Sequence, residues 1–231
     1  MEKEYPLFEE EENNIFNDPK TGYKTAIPPI LTDICDYLIK LNVKLSKQFA
    51  DGRINASMNE AELLKEIKEQ FGIQEPRSRA WFDFSIENES GFFPVNIKIT
   101  DTTHADNLNC KLGIYYALTG LLPHFPNETR WLTYFEHLKE NLGKEKNKDY
   151  YFLIFNKQNP TDIFVNSLKG LQDLQPNGNN LPFQCKWDNN RKYQNRSFNK
   201  AAEFILSTFG HSIKLRSEIY FNFKKYFPEY V

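Results

Sequence analysis

The chain has 231 residues, of which 40% are hydrophobic and 15% aromatic, and this is enough for one domain with a substantial buried core. Its formal net charge of −2 excludes the uniformly basic surface that binds nucleic acids or membranes by charge alone. The charged N-terminus, the three widely spaced cysteines without a CxxC pair and the lack of any run of about 18 uncharged apolar residues predict a cytoplasmic protein with no membrane span, export signal or zinc site.

The first third of the chain predicts helices. Residues 1–28 are polar and charged, and we expect a loosely tied arm or a short helix. Residues 29–49 are predicted to form an amphipathic helix that packs either on a sheet or across a dimer axis, since apolar residues recur at helical spacing at Ile30, Ile34, Leu38, Leu41 and Leu45. A second helix is predicted from about Asn59, a suitable N-cap, to Phe71, with Gly72 ending it.

Two alternating segments, 81–87 and 93–100, predict a β-hairpin. Phe82, Phe84 and Ile86 alternate with polar residues in the first segment, and the apolar residues of the second segment alternate with polar ones in the same way. Asn88-Glu89-Ser90-Gly91 between them has the composition of a turn. Burial of both apolar rows against one core therefore predicts that Asp83, Asn96 and Lys98 share the opposite surface.

This grouping of side chains suits phosphodiester hydrolysis. Asp83 and Asn96 offer hard oxygen ligands of the kind that Mg²⁺ prefers, and Lys98 adds a cation that stabilises developing negative charge. The alternative from spacing alone is a hairpin whose polar face is simply hydrated.

The remaining segments complete a mixed α/β pattern. Helices are predicted over 106–121, closed by Gly120, over 128–142, and over 197–226 with an interruption near Gly210. Strands are predicted at 150–155 and 162–165, and a loop at 175–182. We expect an α/β fold (mixed α+β) in which a central mixed β-sheet is flanked by helices, and a single domain over residues 1–231.

The hairpin resembles the PD-(D/E)XK nuclease signature. Asp83 takes the place of the first aspartate, and Asn96-Ile97-Lys98 takes the place of the acid-x-Lys element. Two positions depart from the pattern: Phe82 precedes Asp83 where the family usually has proline, and Asn96 stands where it carries Asp or Glu. Segments 106–113 and 181–187 are similar to those of type II restriction endonucleases, so that the resemblance covers roughly residues 76 to 190.

The resemblance implies a restriction-endonuclease-like core and a function. The family cleaves double-stranded DNA at specific sites with Mg²⁺, as homodimers within restriction-modification systems. Carried over to this chain, Asp83 is a metal ligand, Asn96 is a neutral ligand or orients water, and Lys98 positions the nucleophile and steadies the phosphate. A helical glutamate often helps in similar nucleases, which favours Glu62 or Glu66.

DNA contacts are expected from polar loops near the predicted site. Arg77, Arg79 and Lys111 are candidates for phosphate contacts, with simple hydration as the alternative. Asn or Gln suits adenine and Arg or Lys suits guanine, although asparagine is also common in turns. The candidates for the recognition region are Asn177, Asn179, Asn180, Gln184, Lys186, Asn189, Asn190, Arg191 and Arg196.

Two other functions remain open at this point. One is a monomeric nicking or repair-type nuclease that shares the core and cuts one strand. The other is a catalytically silent DNA-binding protein in which Asn96 reflects lost affinity for the metal.

Overall fold

The computed structural model describes residues 16–17, 24–41, 52–76, 80–89 and 91–231, and it describes side chains from residue 26 onward except at 52–59. The helices are α1 (Pro29–Leu41), α2 (Gly52–Phe71), α3 (Lys111–Thr119), α4 (Trp131–Asn141) and α5 (Phe198–Tyr226). The strands are β1 (Phe16–Asn17), β2 (Lys24–Thr25), β3 (Phe84–Asn88), β4 (Gly91–Thr100), β5 (Ala105–Leu108), β6 (Tyr151–Asn156), β7 (Ile163–Ser167), β8 (Gln175–Pro176) and β9 (Phe183–Lys186). Four strands form a mixed sheet in the order β3-β4-β6-β7, and three shorter strands form a second sheet in the order β5-β9-β8.

The central four-stranded sheet confirms the predicted mixed sheet. β3 and β4 form the expected antiparallel hairpin, with Phe84 opposite Val95. β4 then runs parallel to β6, with Asn96 opposite Phe152 and Lys98 opposite Ile154, and β7 pairs antiparallel with β6. The parallel step from β4 to β6 contains β5, α3 and α4, as a crossover between parallel strands requires.

The central sheet separates two hydrophobic clusters, which explains why β6 is a continuous apolar run. Tyr151, Leu153 and Phe155 pack with apolar residues of α1 and α2 on one face. Phe152 and Ile154 pack with residues of α3, α4 and α5 on the other. Because successive strand residues point to opposite faces, a strand covered on both sides needs apolar residues at every position.

Three predictions about element boundaries are corrected. Residues 106–108 are not helical; they belong to β5, which pairs with β9, and the helix is confined to Lys111–Thr119. The predicted loop at 175–182 begins with β8, which also pairs with β9. α5 runs through Gly210 without interruption, because a single glycine costs a helix only about 1 kcal/mol and Phe209 and Ser212 beside it are buried.

The first two helices also differ in length from the prediction. α2 begins at Gly52, seven residues before Asn59, and it ends as predicted at Gly72, whose φ of 62° is in the left-handed region that favours glycine. α1 ends at Leu41, and the predicted continuation over 42–49 lies outside the described residues. Most of the predicted arm at 1–28 lies outside them as well. Among the described residues, no helix combines the length and apolar character needed to cross a membrane.

Candidate nuclease site

The β3–β4 hairpin holds Asp83 and Asn96 together. The backbone N–H of Asp83 donates to the Val95 carbonyl at 2.9 Å, which extends the strand pairing by one residue. Oδ2 of Asp83 then accepts two hydrogen bonds, one of 2.7 Å from Nδ2 of Asn96 and one of 2.6 Å from the backbone N–H of Ile97. Both bonds end on Oδ2, and Oδ1 of Asp83 accepts no hydrogen bond from the described part of the chain, so it is available to a cation.

Lys98 lies on the same face of β4 as Asn96, as the alternation predicted. Its Nζ donates a 3.3 Å hydrogen bond to the carbonyl of Asn107 in β5, a long and therefore weak contact. Its positive charge opposes the rise in the pKa of Asp83 and of Glu60. The structure therefore brings Asp83, Asn96 and Lys98 together.

A second carboxylate near Asp83 belongs to Glu60, which sequence analysis missed. The pKa of Glu60 is raised to about 7, first by burial and then by the negative charge of Asp83, while the charge of Lys98 acts in the opposite direction. The predicted helper Glu62 is exposed, two residues farther along α2, and Glu66 lies more than one turn beyond Glu60.

A signal for Glu60 was present in the sequence. Leu63 and Ile67 are fully buried and face the core. Glu60 precedes them by three and seven residues, which places it on the same side of α2. A glutamate on the apolar stripe of a helix is more informative than one on the charged side, where Glu62 lies.

The two carboxylates form an environment that suits a cation. Burial raises the pKa of Asp83, while the Ile97 N–H and the charge of Lys98 act in the opposite direction. Burial therefore makes ionisation of both carboxylates unfavourable in free energy, and a bound cation would offset this penalty. Among the residues that the structure describes, no group of three His, Cys, Asp or Glu side chains comes together. A Mg²⁺ ion bound in the cleft would therefore use Asp83, with neutral oxygens or water in its other positions, and the charge of Glu60 would act on it from α2.

Asp83, Asn96 and Lys98 line a cleft of about 810 Å³. One side of the cleft is aromatic, with Trp81 and Tyr150, and another side is the loop from Phe125 to Glu128. Glu60 does not line the cleft. It lies on α2, and its carboxylate and that of Asp83 interact from there. The cleft can therefore admit a substrate group to Asp83 and Lys98.

Tyr150 fixes the segment that leads into Asp83. Its hydroxyl donates a 2.7 Å hydrogen bond to the carbonyl of Trp81. α3 packs closely on the Tyr150 ring because Gly113 has no side chain, and a Cβ there would lie 2.6 Å from a ring carbon. Contacts with the buried core therefore fix the position of the backbone that precedes Asp83.

The structure gives Lys111 a buried position. Its ammonium donates to the carbonyls of Asn127 and Thr129 and lies 4.4 Å from the centre of the Trp131 ring. In this structure Lys111 fastens the loop beside the cleft, and its contact with phosphate stays a prediction. Arg77 and Arg79 lie outside the described residues.

Several of the predicted recognition residues make side-chain hydrogen bonds within the protein. Asn177 donates from Nδ2 to Asn107 and Gln184. Asn190 is buried, and its side chain makes four hydrogen bonds to backbone groups. Arg191 pairs with Asp162 at 2.6 Å, and Arg196 donates to two backbone carbonyls.

The other recognition candidates are more accessible. Asn179, Asn180 and Lys186 are exposed, and Asn189 is exposed while it donates to Asp173. Gln184 is half-buried in β9, where it lies opposite Asn107. The small sheet and the loop that follows β8 thus present polar side chains close to the β5 residue that Lys98 contacts.

Comparison of the sequence with protein-family models and with curated proteins finds no match.

Proposed function

We propose that this chain is a type II site-specific deoxyribonuclease that hydrolyses phosphodiester bonds in both strands of a short duplex DNA site with Mg²⁺, as part of a restriction-modification system. The observation that carries the proposal is the meeting of Asp83, Asn96 and Lys98 at one cleft, with the charge of Glu60 acting on Asp83. A mixed four-stranded sheet with the hairpin at one edge is compatible with the restriction-endonuclease-like core that the resemblance implies.

Each residue has a distinct role in this proposal. Asp83 holds the cation, and the charge of Glu60 acts on it from α2. Asn96 fixes the orientation of Asp83 through its hydrogen bond to Oδ2. When bound, Mg²⁺ supplies positive charge that polarises the phosphate and lowers the pKa of the attacking water.

Lys98 supplies the second positive charge of the site. Its ammonium is placed to neutralise part of the negative charge that develops on the phosphate and to orient the attacking water. The proton leaves to solvent, since the proposal assigns no side chain as the general base. Loss of such a preorganised donor typically lowers a rate by about 10²- to 10³-fold.

Glu60 accounts for the asparagine at position 96. The resembling family carries a carboxylate there, whereas in this chain the second carboxylate comes from α2. The total negative charge offered to the cation is thereby kept. This supports an active nuclease over a silent DNA-binding protein.

The DNA surface that we propose includes the exposed Lys186, Asn179, Asn180 and Asn189. Cutting two antiparallel strands with identical centres implies a homodimer, since a single site acts on one strand at a time. A monomeric nicking or repair-type nuclease is the alternative that shares the same site.

Digestion of a supercoiled plasmid with Mg²⁺ tests the proposal. Wild type should give linear DNA with fixed ends, and EDTA should abolish the reaction. Asp83→Asn, Lys98→Ala and Glu60→Gln should each lower the rate by about 10²-fold or more. Glu62→Gln, an exposed glutamate on the same helix, should cut as wild type does. Accumulation of open circles would favour the nicking enzyme, and the absence of any cleavage would reject a nuclease.

A further inference from the structure

α5 consists of two parts with different surroundings. Its first part is anchored in the core, where Ala201, Ile205 and Phe209 are buried. From Lys214 to the end of the chain every residue is exposed. At 1.5 Å per residue, the exposed helical part is roughly 20 Å long.

The exposed part of α5 carries an apolar stripe, which consists of Leu215, Ile219, Phe223 and Tyr226. These residues follow one another at intervals of four, four and three, so they lie on one face of the helix. Their exposed fractions range from 43% to 71%. Lys214, Ser217 and Phe221 lie on the opposite face.

An uncovered helix of this kind is unfavourable in water. Most helices in proteins depend for their stability on packing of an apolar face. The first turn of the exposed part is fixed, because Arg216 donates to the carbonyls of Gly178 and Asn179. The turns after it have an apolar face that needs a partner.

The apolar surface here has the size of a dimer interface. At roughly 200 Å² for each side chain of this size, the exposed fractions of the stripe with its flanking aromatic residues leave about 780 Å². A typical monomer has a largest patch of about 300–600 Å², and a standard interface buries about 800 Å² on each partner. The flanking aromatic residues are Tyr220, Phe227 and Tyr230.

We infer that the exposed part of α5 is a dimerisation helix and that its occupant is the same helix of a second copy of this chain. Charge favours an antiparallel pair. Glu218 and Lys225 lie seven residues apart and therefore on the same flank of the stripe. Two antiparallel copies that cross near residue 221 bring Glu218 of each copy close to Lys225 of the other, as a self-complementary two-fold interface requires. This inference rests on the apolar surface of α5 and not on the nuclease proposal.

Light scattering coupled to gel filtration of the full chain tests the inference. Wild type at micromolar concentration should have twice the 27.3 kDa mass of one chain. Phe223→Glu should give the mass of one chain, because it places like charges close together at the two-fold axis. Phe221→Glu is the matched control: it changes an exposed phenylalanine on the opposite face and should leave the dimer intact.

A mixing experiment distinguishes a second copy from other occupants. Phe223→Lys alone should be a monomer, and an equimolar mixture with Phe223→Glu should restore the dimer mass. A monomeric wild type would overturn the inference, whether the stripe is covered by another segment of the chain or binds lipid vesicles. A dimer that survives Phe223→Glu, or that Phe221→Glu dissolves equally, would overturn it as well. Because the readout is mass, failure here is distinguishable from failure of plasmid cleavage.

Discussion

Asn96 donates a hydrogen bond of 2.7 Å from its Nδ2 to Oδ2 of Asp83. The same oxygen accepts the backbone N–H of Ile97, so Asp83 is oriented by two adjacent donors of β4. An acid at position 96 would place a second carboxylate where the amide now donates. The asparagine therefore has a positive role, which is to orient the carboxylate that we propose as a metal ligand.

Asn96→Asp should lower the stability of the metal-free protein. It replaces a hydrogen bond to Asp83 with like charges at close distance, and loss of a partly buried hydrogen bond costs about 1–3 kcal/mol. Mg²⁺ should recover this loss, because an ion that binds the folded state stabilises it. Urea unfolding at neutral pH, with and without Mg²⁺, measures both effects.

Asn96→Ala is the control for this variant. It removes the hydrogen bond without adding charge, so its stabilisation by Mg²⁺ should not exceed that of wild type. An Asn96→Asp protein that is as stable as wild type without the metal would contradict the role assigned to Asn96.

The raised pKa of Glu60 predicts how stability depends on pH. The pKa of Glu60 is about 7 in the folded chain against 4.5 for an ordinary glutamate, so between these values the folded state holds a proton that the unfolded state has released. Stability of the metal-free protein therefore falls as pH rises from about 4.5 to 7 through this group. Glu60→Gln should flatten that decline in the urea midpoint, and Glu62→Gln should leave it as in wild type. Equal slopes for wild type and Glu60→Gln would show that Glu60 is not desolvated beside Asp83.

Variants of Lys111 and Lys186 should distinguish a lysine that stabilises the fold from a lysine that contacts DNA. Lys111→Met leaves two backbone carbonyls without their donor and should lower the free energy of unfolding by about 2 kcal/mol. Lys186→Ala changes an exposed side chain and should alter stability by less than about 0.5 kcal/mol. If Lys186 contacts a phosphate, its loss should reduce the slope of log affinity against log salt by about 1.

Fluorescence anisotropy with a duplex that contains the mapped cleavage site measures that slope. The matched comparison is between the two lysine variants under the same salt series. A reduced slope for Lys111→Met with unchanged stability would restore the sequence-based assignment of Lys111 to the DNA surface.

The hairpin and its polar face could be predicted from sequence because their signals are local. Alternation fixes which side chains share a face, and the turn between the two segments fixes their pairing. Local alternation is therefore sufficient to predict that Asp83, Asn96 and Lys98 lie together.

Other features depend on contacts between distant parts of the chain. The strand nature of residues 106–108 comes from pairing with residues 183–186, which no local pattern specifies. The buried position of Lys111 depends on the backbone carbonyls of Asn127 and Thr129, which are distant in sequence, so no local pattern distinguishes it from a surface lysine. Charge alone does not distinguish Glu60 from Glu62. Glu60 differs because it lies on the same side of α2 as the buried residues of that helix.

Binding of Mn²⁺, measured by electron paramagnetic resonance as a substitute for Mg²⁺, tests the central claim most directly. Wild type should bind the ion at one site in each chain, and Asp83→Asn and Glu60→Gln should each weaken binding by at least about tenfold. Glu62→Gln should bind as wild type does. A wild-type protein that binds no ion, or variants at Asp83 and Glu60 that bind it equally well, would contradict a metal site that depends on these two carboxylates.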